Sequence, residues 1–516
     1  MAPTKHKLEK TNVGEEVLDL VIPYIHNAED RNCVSLVSRR FCEIDGIMRK
    51  RVTVHTLYYT NPASLSKRFP FIESLTLKGP PSDFTRTFHH DNRITPWIEQ
   101  LALEFKYLKE LHIRRLVVHD EDLETLARTR GKDLRILKIK LCKGFSTDGL
   151  MHVSKYCNQL KTLCLVSYVY NALKDDIWIH QLALNSTVLE RFHVRNTNIS
   201  NTEHLTLLAK NCCNSLVSLK IGACSLRKLV DAFRYAVRLE HFGGGLIYDE
   251  ESVLVGFQFP PNTHSLSIGD LPGTRYSSTV VPFLNQIRKL KLGLCSVDYG
   301  CHCLLFNRCP NLEVLYSQDH CEDRGLQVIG QFCKKLRKFT YTLLATHVGL
   351  IALAKGCTNL ESLDVNFTDI SNEALECVGT HLKNLRDFRI RVVKEIGIRY
   401  LPLDNGVRAT LMGCKKLERL HISHWYKGLT DVGLEYIGKH GANLRSLSLT
   451  HIGNSNAGLV KLSKGCRKLR KLNLRGCPFN EQVVTTSVFH IPSRRYVWGK
   501  SSDRTVLALI RPEFQL

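Results

Sequence analysis

Cations recur in this chain between leucines, two or four residues apart: Lys138 with Lys140, Lys289 with Lys291, Arg389 with Arg391, Lys471 with Arg475. Such groups, gathered on one surface, hold phosphates through charge-assisted hydrogen bonds, and arginine does so with two parallel N–H donors. The framed positions in full are Glu110, His112 and Arg114; Ile136, Lys138 and Lys140; Lys289, Lys291 and Gly293; Lys338, Thr340 and Thr342; Asp387, Arg389 and Arg391; Arg419, His421 and Ser423; Lys471, Asn473 and Arg475. Basic side chains far outnumber acidic ones among them. Bond-making chemistry has no comparable signal. There is no Gly-x-Ser-x-Gly elbow, HExxH pair or Walker sequence, and the 22 histidines are scattered. Gly243-Gly244-Gly245 lacks the Gly-Lys-Ser/Thr of a phosphate loop and reads as a tight turn.

What frames these residues is a ladder, Leu-x-x-Leu-x-Leu, recurring roughly every 25 residues. It runs from Leu108-Lys109-Glu110-Leu111-His112-Ile113 through Leu134-Arg135-Ile136-Leu137-Lys138-Ile139 to Leu469-Arg470-Lys471-Leu472-Asn473-Leu474. That motif at that period marks leucine-rich repeats, an α/β solenoid (horseshoe) with parallel strands on the concave face and helices on the convex face. The leucines point into the core, and the third, fifth and seventh positions project from the sheet. Helix starts are legible at Ser146-Thr147-Asp148-Gly149-Leu150, Asp323-Arg324-Gly325-Leu326, Ser371-Asn372-Glu373-Ala374-Leu375 and Thr430-Asp431-Val432-Gly433-Leu434, where short polar side chains can cap free amides. Three places break the rhythm: a loop over Leu77 to Trp97, Pro260-Pro261-Asn262, and Arg391 to Leu403. Ahead of the repeats, Glu16 to Ile22 has helical apolar spacing. A second helix opens at Ala28, with Val34, Leu36, Val37 and Phe41 as its apolar face and Arg39-Arg40 as its polar one. The expected division is a disordered leader over 1–12, a helical module over 13–54, and the solenoid over 55–516.

At 516 residues the chain is long for one globular core, a limit that a solenoid escapes because each repeat packs only on its neighbours. A net charge of +23 points to an anionic partner. Nucleic acid would need aromatics interleaved along the strands, a zinc finger or a glycine-rich loop, and none is present, so no nucleic acid is expected. Met1 to Lys10 is polar and basic and no apolar run is long enough to span a membrane. A cytosolic or nuclear protein with reduced thiols is expected. Cys157, Cys213, Cys309, Cys333, Cys357, Cys414 and Cys466 each stand three residues before a ladder leucine, a repeat-locked place for a small buried thiol. Cys301-His302-Cys303 has no partner pair at zinc spacing and is assigned to packing.

Several segments carry a resemblance that covers nearly the whole chain. They are Asp30-Arg31 with Ser35-Leu36-Val37-Ser38-Arg39-Arg40-Phe41, then Arg68-Phe69-Pro70, Leu77-Lys78-Gly79 and Thr95-Pro96-Trp97. After them come Cys142-Lys143-Gly144-Phe145-Ser146-Thr147-Asp148-Gly149-Leu150, Cys309-Pro310-Asn311-Leu312-Glu313-Val314-Leu315 and Leu401-Pro402-Leu403-Asp404-Asn405-Gly406-Val407-Arg408. In these the chain resembles the plant F-box leucine-rich-repeat hormone receptors, most of all the coronatine-insensitive jasmonate receptors, with the auxin receptors as cousins. Phe41 stands where that family usually has Trp.

The resemblance implies that residues 13–54 are an F-box, which binds a Skp-type adaptor and so a cullin ubiquitin ligase. It implies a non-catalytic substrate receptor in the nucleus and cytoplasm. The repeats would hold an inositol polyphosphate as structural cofactor, and a jasmonate–amino acid conjugate sandwiched against a JAZ-type transcriptional repressor. Carried over residue by residue, the phosphate positions are Lys78, Arg114, Arg115, Lys338, Arg389, Lys471 and Arg495. Of the hormone and degron positions, Arg389, Arg475 and Trp498 remain. Ser82 and Thr340 stand for two arginines, Asn366 and Ser423 for two tyrosines, and Asp83 adds a negative charge. Losing cationic partners of a carboxylate costs a few kcal/mol each. The expectation is a receptor on the jasmonate plan with an altered hormone pocket; the alternative is a hormone-independent receptor or a non-ubiquitinating scaffold. The chain ends at Leu516, short of the family's usual C-terminal cap.

Overall fold

A computed structural model describes the chain between Val21 and Gly499. Residues 1–20, 26–27, 59–60, 81–92, 168–172, 174, 196–198, 247–258, 271–280, 294–298, 319–321, 394–401, 425–427, 481, 485–494 and 500–516 lie outside the described residues. The leader over 1–12 and most of the helix expected over Glu16–Ile22 fall there; Ile22–Tyr24 form a 3-10 turn. The single helix expected from Ala28 is two, Ala28–Ser35 and Arg39–Met48. Apolar periodicity runs across the break, but Ser38 takes an extended backbone and its hydroxyl accepts a hydrogen bond from the Phe41 amide (3.2 Å), which starts a new helix. Leu36 and Val37, expected on the apolar face, are 51% and 69% exposed.

The chain forms two compact units. The first runs to Leu239 and the second from Glu240 onward, apart from short exchanges at 225–227 and 260–262. The strands of the first are β1 (Arg51–His55), β2 (Ser74–Lys78), β3 (Glu110–Arg114), β4 (Ile136–Cys142), β5 (Thr162–Ser167), β6 (Arg191–Arg195) and β7 (Ser218–Ser225). Each pairs in parallel with the next. Those of the second are β8 (His241–Leu246), β9 (Ser265–Asp270), β10 (Lys289–Leu292), β11 (Val314–Ser317), β12 (Lys338–Ala345), β13 (Ser362–Phe367), β14 (Asp387–Val392), β15 (Arg419–His424), β16 (Ser446–Thr450), β17 (Lys471–Arg475) and β18 (Arg495–Gly499). They too pair in parallel in chain order. In-register ladder residues such as Leu75, Leu111, Leu137 and Leu163 are fully buried. This is the leucine-rich-repeat architecture that the ladder predicts.

Details differ from expectation. Leu77 and Lys78 complete β2 and Thr95–Trp97 open the helix Thr95–Glu104, so both ends of the expected loop belong to regular elements, while 81–92 lie outside the described residues. Arg391 and Val392 likewise finish β14. Gly243-Gly244-Gly245 is no turn but lies within β8, where the register with β9 shifts and Gly244 has φ +106°. Cys157, Cys309, Cys333, Cys357, Cys414 and Cys466 are buried as expected, but after the helix Glu203–Asn211 it is Cys212, not Cys213, that fills the slot. Burial pushes these thiols up, to about 12 at Cys157 and Cys357 and about 11 at Cys414, which makes them inert. Cys301-His302-Cys303 lies in the helix Tyr299–Asn307, with His302 buried.

Helix starts follow Ser/Thr-x-x-Gly-Leu, at Ser146, Thr346, Thr430 and Ser455, and each hydroxyl caps its own helix. The same residue is gripped by an aspartate in the first turn of the preceding helix. Asp120 accepts from the Ser146 hydroxyl (2.7 Å) and from the amides of Ser146 (2.7 Å) and Gly149 (3.1 Å). Asp323 does this for Thr346, Asp404 for Thr430 and Asp431 for Ser455. The glycine makes room: a Cβ on Gly149, Gly349, Gly433 or Gly458 would lie 2.3 to 2.5 Å from that carboxylate. At Asp431 burial pushes the carboxyl pKa up, but the Ser455 hydroxyl and the amides of Asn454 and Ser455 outweigh it and hold it below the usual value. A depressed folded-state pKa means this latch is intact above the unfolded pKa and is lost as pH falls through the folded one.

Successive helices also touch backbone to backbone. A Cβ on Gly356 would lie 2.0 Å from the Gly330 carbonyl oxygen. Gly356→Ala is therefore expected to destabilise the protein by about 1–3 kcal/mol, although alanine alone favours helix by about 1 kcal/mol. Chemical denaturation checks the sign, and a variant as stable as the parent would contradict this packing.

Candidate functional site

Each unit exposes one face of its sheet, and the two differ in how their charges are met. In the first, neighbouring strands align Lys78, Arg114 and Lys140 in one row, and Thr76, His112, Lys138, Cys164, His193 and Lys220 in the next. Arg195 extends the first row beyond Val166. Neighbouring strands lie about 4.8 Å apart, so these cations are close-set. Lys78, Arg114, Lys138, Lys140 and Arg195 make no side-chain hydrogen bond or ion pair among the described residues. Glu110 is the one carboxylate at the projecting positions of β3 to β6.

Three histidines report the resulting potential. Burial, then Lys220 and Arg195, push His193 down to about 3. Burial and Lys138 lower His112, and burial, Lys78 and Arg115 lower His55. All three stay neutral on a surface that already repels protons. Arg115 is set apart from the ladder. It follows β3 in a left-handed conformation (φ +57°), costly for a side chain with a Cβ, and its Nε is buried without a hydrogen-bond partner. A buried guanidinium donor held by a strained backbone and lacking an acceptor is the chemistry of an anion site.

In the second unit the cations are largely answered from within. Asp387, nearly buried, takes Arg389 at 3.3 and 3.4 Å and Arg419 at 2.8 Å. On the next strand Asp364 accepts from Arg391 Nη2 and lies 3.9 Å from Arg389 Nη1. Arg391 Nε also donates to Asn366 (2.6 Å), whose amide donates to the Thr342 carbonyl (2.5 Å). Burial, Arg391 and Arg389 lower the pKa of His421 beside them. Lys338 on β12 and Lys471 and Arg475 on β17 are exposed and make no ion pair with a carboxylate among the described residues. Arg495 aligns with Lys471, and Trp498 with Leu474.

Of the residues expected to hold phosphate, Lys78, Arg114 and Arg115 cluster in the first unit, while Lys338, Arg389, Lys471 and Arg495 lie on the second. Arg389 differs from the rest in being committed to Asp387 and Asp364. Ser82 and Asp83 lie outside the described residues; Thr340, Asn366 and Ser423 project from β12, β13 and β15. Sequence reasoning passed over Asp364, though its place in Leu360-Glu361-Ser362-Leu363-Asp364-Val365 makes it a projecting ladder residue.

No described helix is long and apolar enough to cross a membrane. The F-box family profile matches residues 10–51. The chain is 39% identical to coronatine-insensitive protein 1 of Arabidopsis thaliana, over 99% of this chain and 90% of that protein. It is 39% identical to coronatine-insensitive protein homolog 1b of Oryza sativa subsp. japonica, with the same coverage, and 32% identical to GRR1-like protein 1 of Arabidopsis thaliana, over 94% of this chain and 86% of that one.

Proposed function

Because the chain belongs to the coronatine-insensitive family of F-box proteins, we propose that it is a substrate-recognition subunit that brings a transcriptional repressor of JAZ type to a Skp–cullin ubiquitin ligase without requiring a jasmonate conjugate. It performs no bond chemistry itself. It raises the local concentration of substrate lysines near the charged conjugating enzyme, in the nucleus and cytoplasm.

The observation that carries the hormone-independent reading is the commitment of Arg389 and Arg391 to Asp364. A carboxylate ligand would have to displace an internal carboxylate that has no binding entropy to lose. Thr340, Asn366 and Ser423 add no compensating cation.

An inositol polyphosphate fits the first unit's face better than the second's. The orphaned Arg115 Nε, the unpaired Lys78 and Arg114 and the proton-repelling histidines are what support it there. Such a cofactor supplies several fixed negative charges, and Lys78, Arg114 and Arg115 would hold them by charge-assisted hydrogen bonds. Arg114→Ala with Arg115→Ala is expected to lose about 1.5–3 kcal/mol per contact, read as phosphate released from the denatured adaptor complex. A phosphate content equal to the parent's contradicts the assignment.

The functional test is a pull-down of JAZ degron peptide by the adaptor complex with and without a jasmonate conjugate. Equal capture in both arms is expected, and capture only with the conjugate would overturn the hormone-independent reading.

A further inference from the structure

We propose that Glu240, His241 and His264, at the starts of β8 and β9 in the second unit, form a binding site for a divalent transition metal of the zinc class. One carboxylate oxygen and one nitrogen from each imidazole lie within 4.8 Å of one another. His241 Nε2 is 3.9 Å from the Glu240 carboxylate, and the two rings meet edge to face with centroids 4.9 Å apart. Side-chain rotation that draws these atoms together would seat a metal at about 2.0–2.2 Å from each.

The backbone fixes the frame. Glu240 precedes β8, His241 is its first residue, and His264 precedes β9 one repeat later. The Glu240 carbonyl accepts from the amides of both His264 (3.0 Å) and Ser265 (3.1 Å), which ties the two ligand-bearing segments together. The donor set selects the ion. Two imidazoles and one carboxylate suit zinc, cobalt or nickel, whereas calcium and magnesium prefer all-oxygen shells. Side chains 37% exposed at His241 and 44% at Glu240 leave an entry path and an open coordination position. Arg288 and Lys289, whose amides donate to the His264 carbonyl, set cationic residues at the start of the next strand, and Arg238 lies two residues before Glu240; their charge opposes a metal's. The three ligands must outweigh them.

The test is cobalt(II) titration of the untagged protein in its adaptor complex, followed by visible absorption and by equilibrium dialysis with zinc competition. The parent is expected to take up one equivalent showing d–d bands without the intense charge-transfer band of a thiolate ligand. His264→Ala should abolish that equivalent and Glu240→Gln, nearly isosteric, should weaken it by roughly tenfold or more. Circular dichroism confirms that both variants fold. Equal uptake by the parent and Glu240→Gln, or a sulfur charge-transfer band, would overturn the site. Unaltered degron capture by His264→Ala is expected, so this result stands or falls apart from the proposed function.

Discussion

An Asp45→Ala variant is expected to lose adaptor binding while its repeats stay folded. Asp45 is fully buried inside the N-terminal module, where Arg31 Nε donates to it at 2.7 Å and Arg49 Nε at 3.1 Å. Arg49 Nη2 lies 2.7 Å from its second oxygen, an ion-pair contact whose angle is not that of a hydrogen bond. Arg49 also reaches Asn32 at 2.6 Å, so one carboxylate fastens the helix Ala28–Ser35 to the helix Arg39–Met48. Both arginines are mostly buried, at 17% and 14% exposure. Removing the carboxylate strands two cations, and breaking a buried pair this way costs about 3–5 kcal/mol. So small a module has little stability to lose. The apolar residues it exposes, Leu36, Val37 and Ile47, would no longer sit on one rigid surface. Co-purification with a Skp-type adaptor measures the loss, and denaturation of the variant alone measures the repeats. Adaptor recovery equal to the parent's would show that Asp45 does not organise the module.

The second large effect is expected at Asp364. Asp364→Ala releases Arg391 and half-releases Arg389, leaving two guanidinium groups on a partly dry face without their carboxylate. Hydrogen bonds to charged groups are worth about 1.5–3 kcal/mol, so the variant should be less stable by about that amount. A free carboxylate should then restore part of the loss, because it can occupy the place that Asp364 vacates. Millimolar acetate or a jasmonate conjugate is expected to raise the variant's melting temperature and leave the parent's unchanged. Adding Thr340→Arg, Asn366→Tyr and Ser423→Tyr to Asp364→Ala is expected to turn degron capture from constitutive to hormone-stimulated. If Asp364→Ala melts like the parent and ignores carboxylates, the internal pairing has no energetic weight and the hormone-independent reading loses its support.

How much of this was legible in the sequence depends on the distance over which each feature is encoded. The ladder was legible because leucine spacing within one strand dictates which side chains are buried, and Lys338, Lys471 and Arg475 project as the spacing predicts. The pairing of Arg391 with Asp364 was not, because it depends on register between repeats of unequal length: Asp364 and Arg389 align, although 25 positions separate them, and Arg389 aligns with His421 across a longer interval. Arg115 was named through the resemblance alone, and its left-handed backbone was not legible, since nothing in residue type announces one. The break at Ser38 was overlooked because apolar spacing continued through it, although serine three residues before Phe41 was a capping signal in plain view. Glu240 and His264 are 24 positions apart, one repeat, a spacing that no local metal motif contains.

The aspartate that grips the next repeat's capping residue has a consequence for how such a chain is made and remade. At four junctions the earlier helix carries the carboxylate key and the later one the capping lock, so the relation has a direction. During synthesis the carboxylate emerges first and waits, and the following segment can complete its helix start only on a neighbour already in place; growth is templated from the N-terminal side. The same arrangement governs what evolution can copy. A duplicated period that holds both partners, as the one with Thr430 and Asp431 does, reproduces lock and key in order. A transplanted repeat lacking the aspartate leaves the hydroxyl and the first amides of its successor without an acceptor. Lengthening by whole periods is therefore the change this architecture tolerates best.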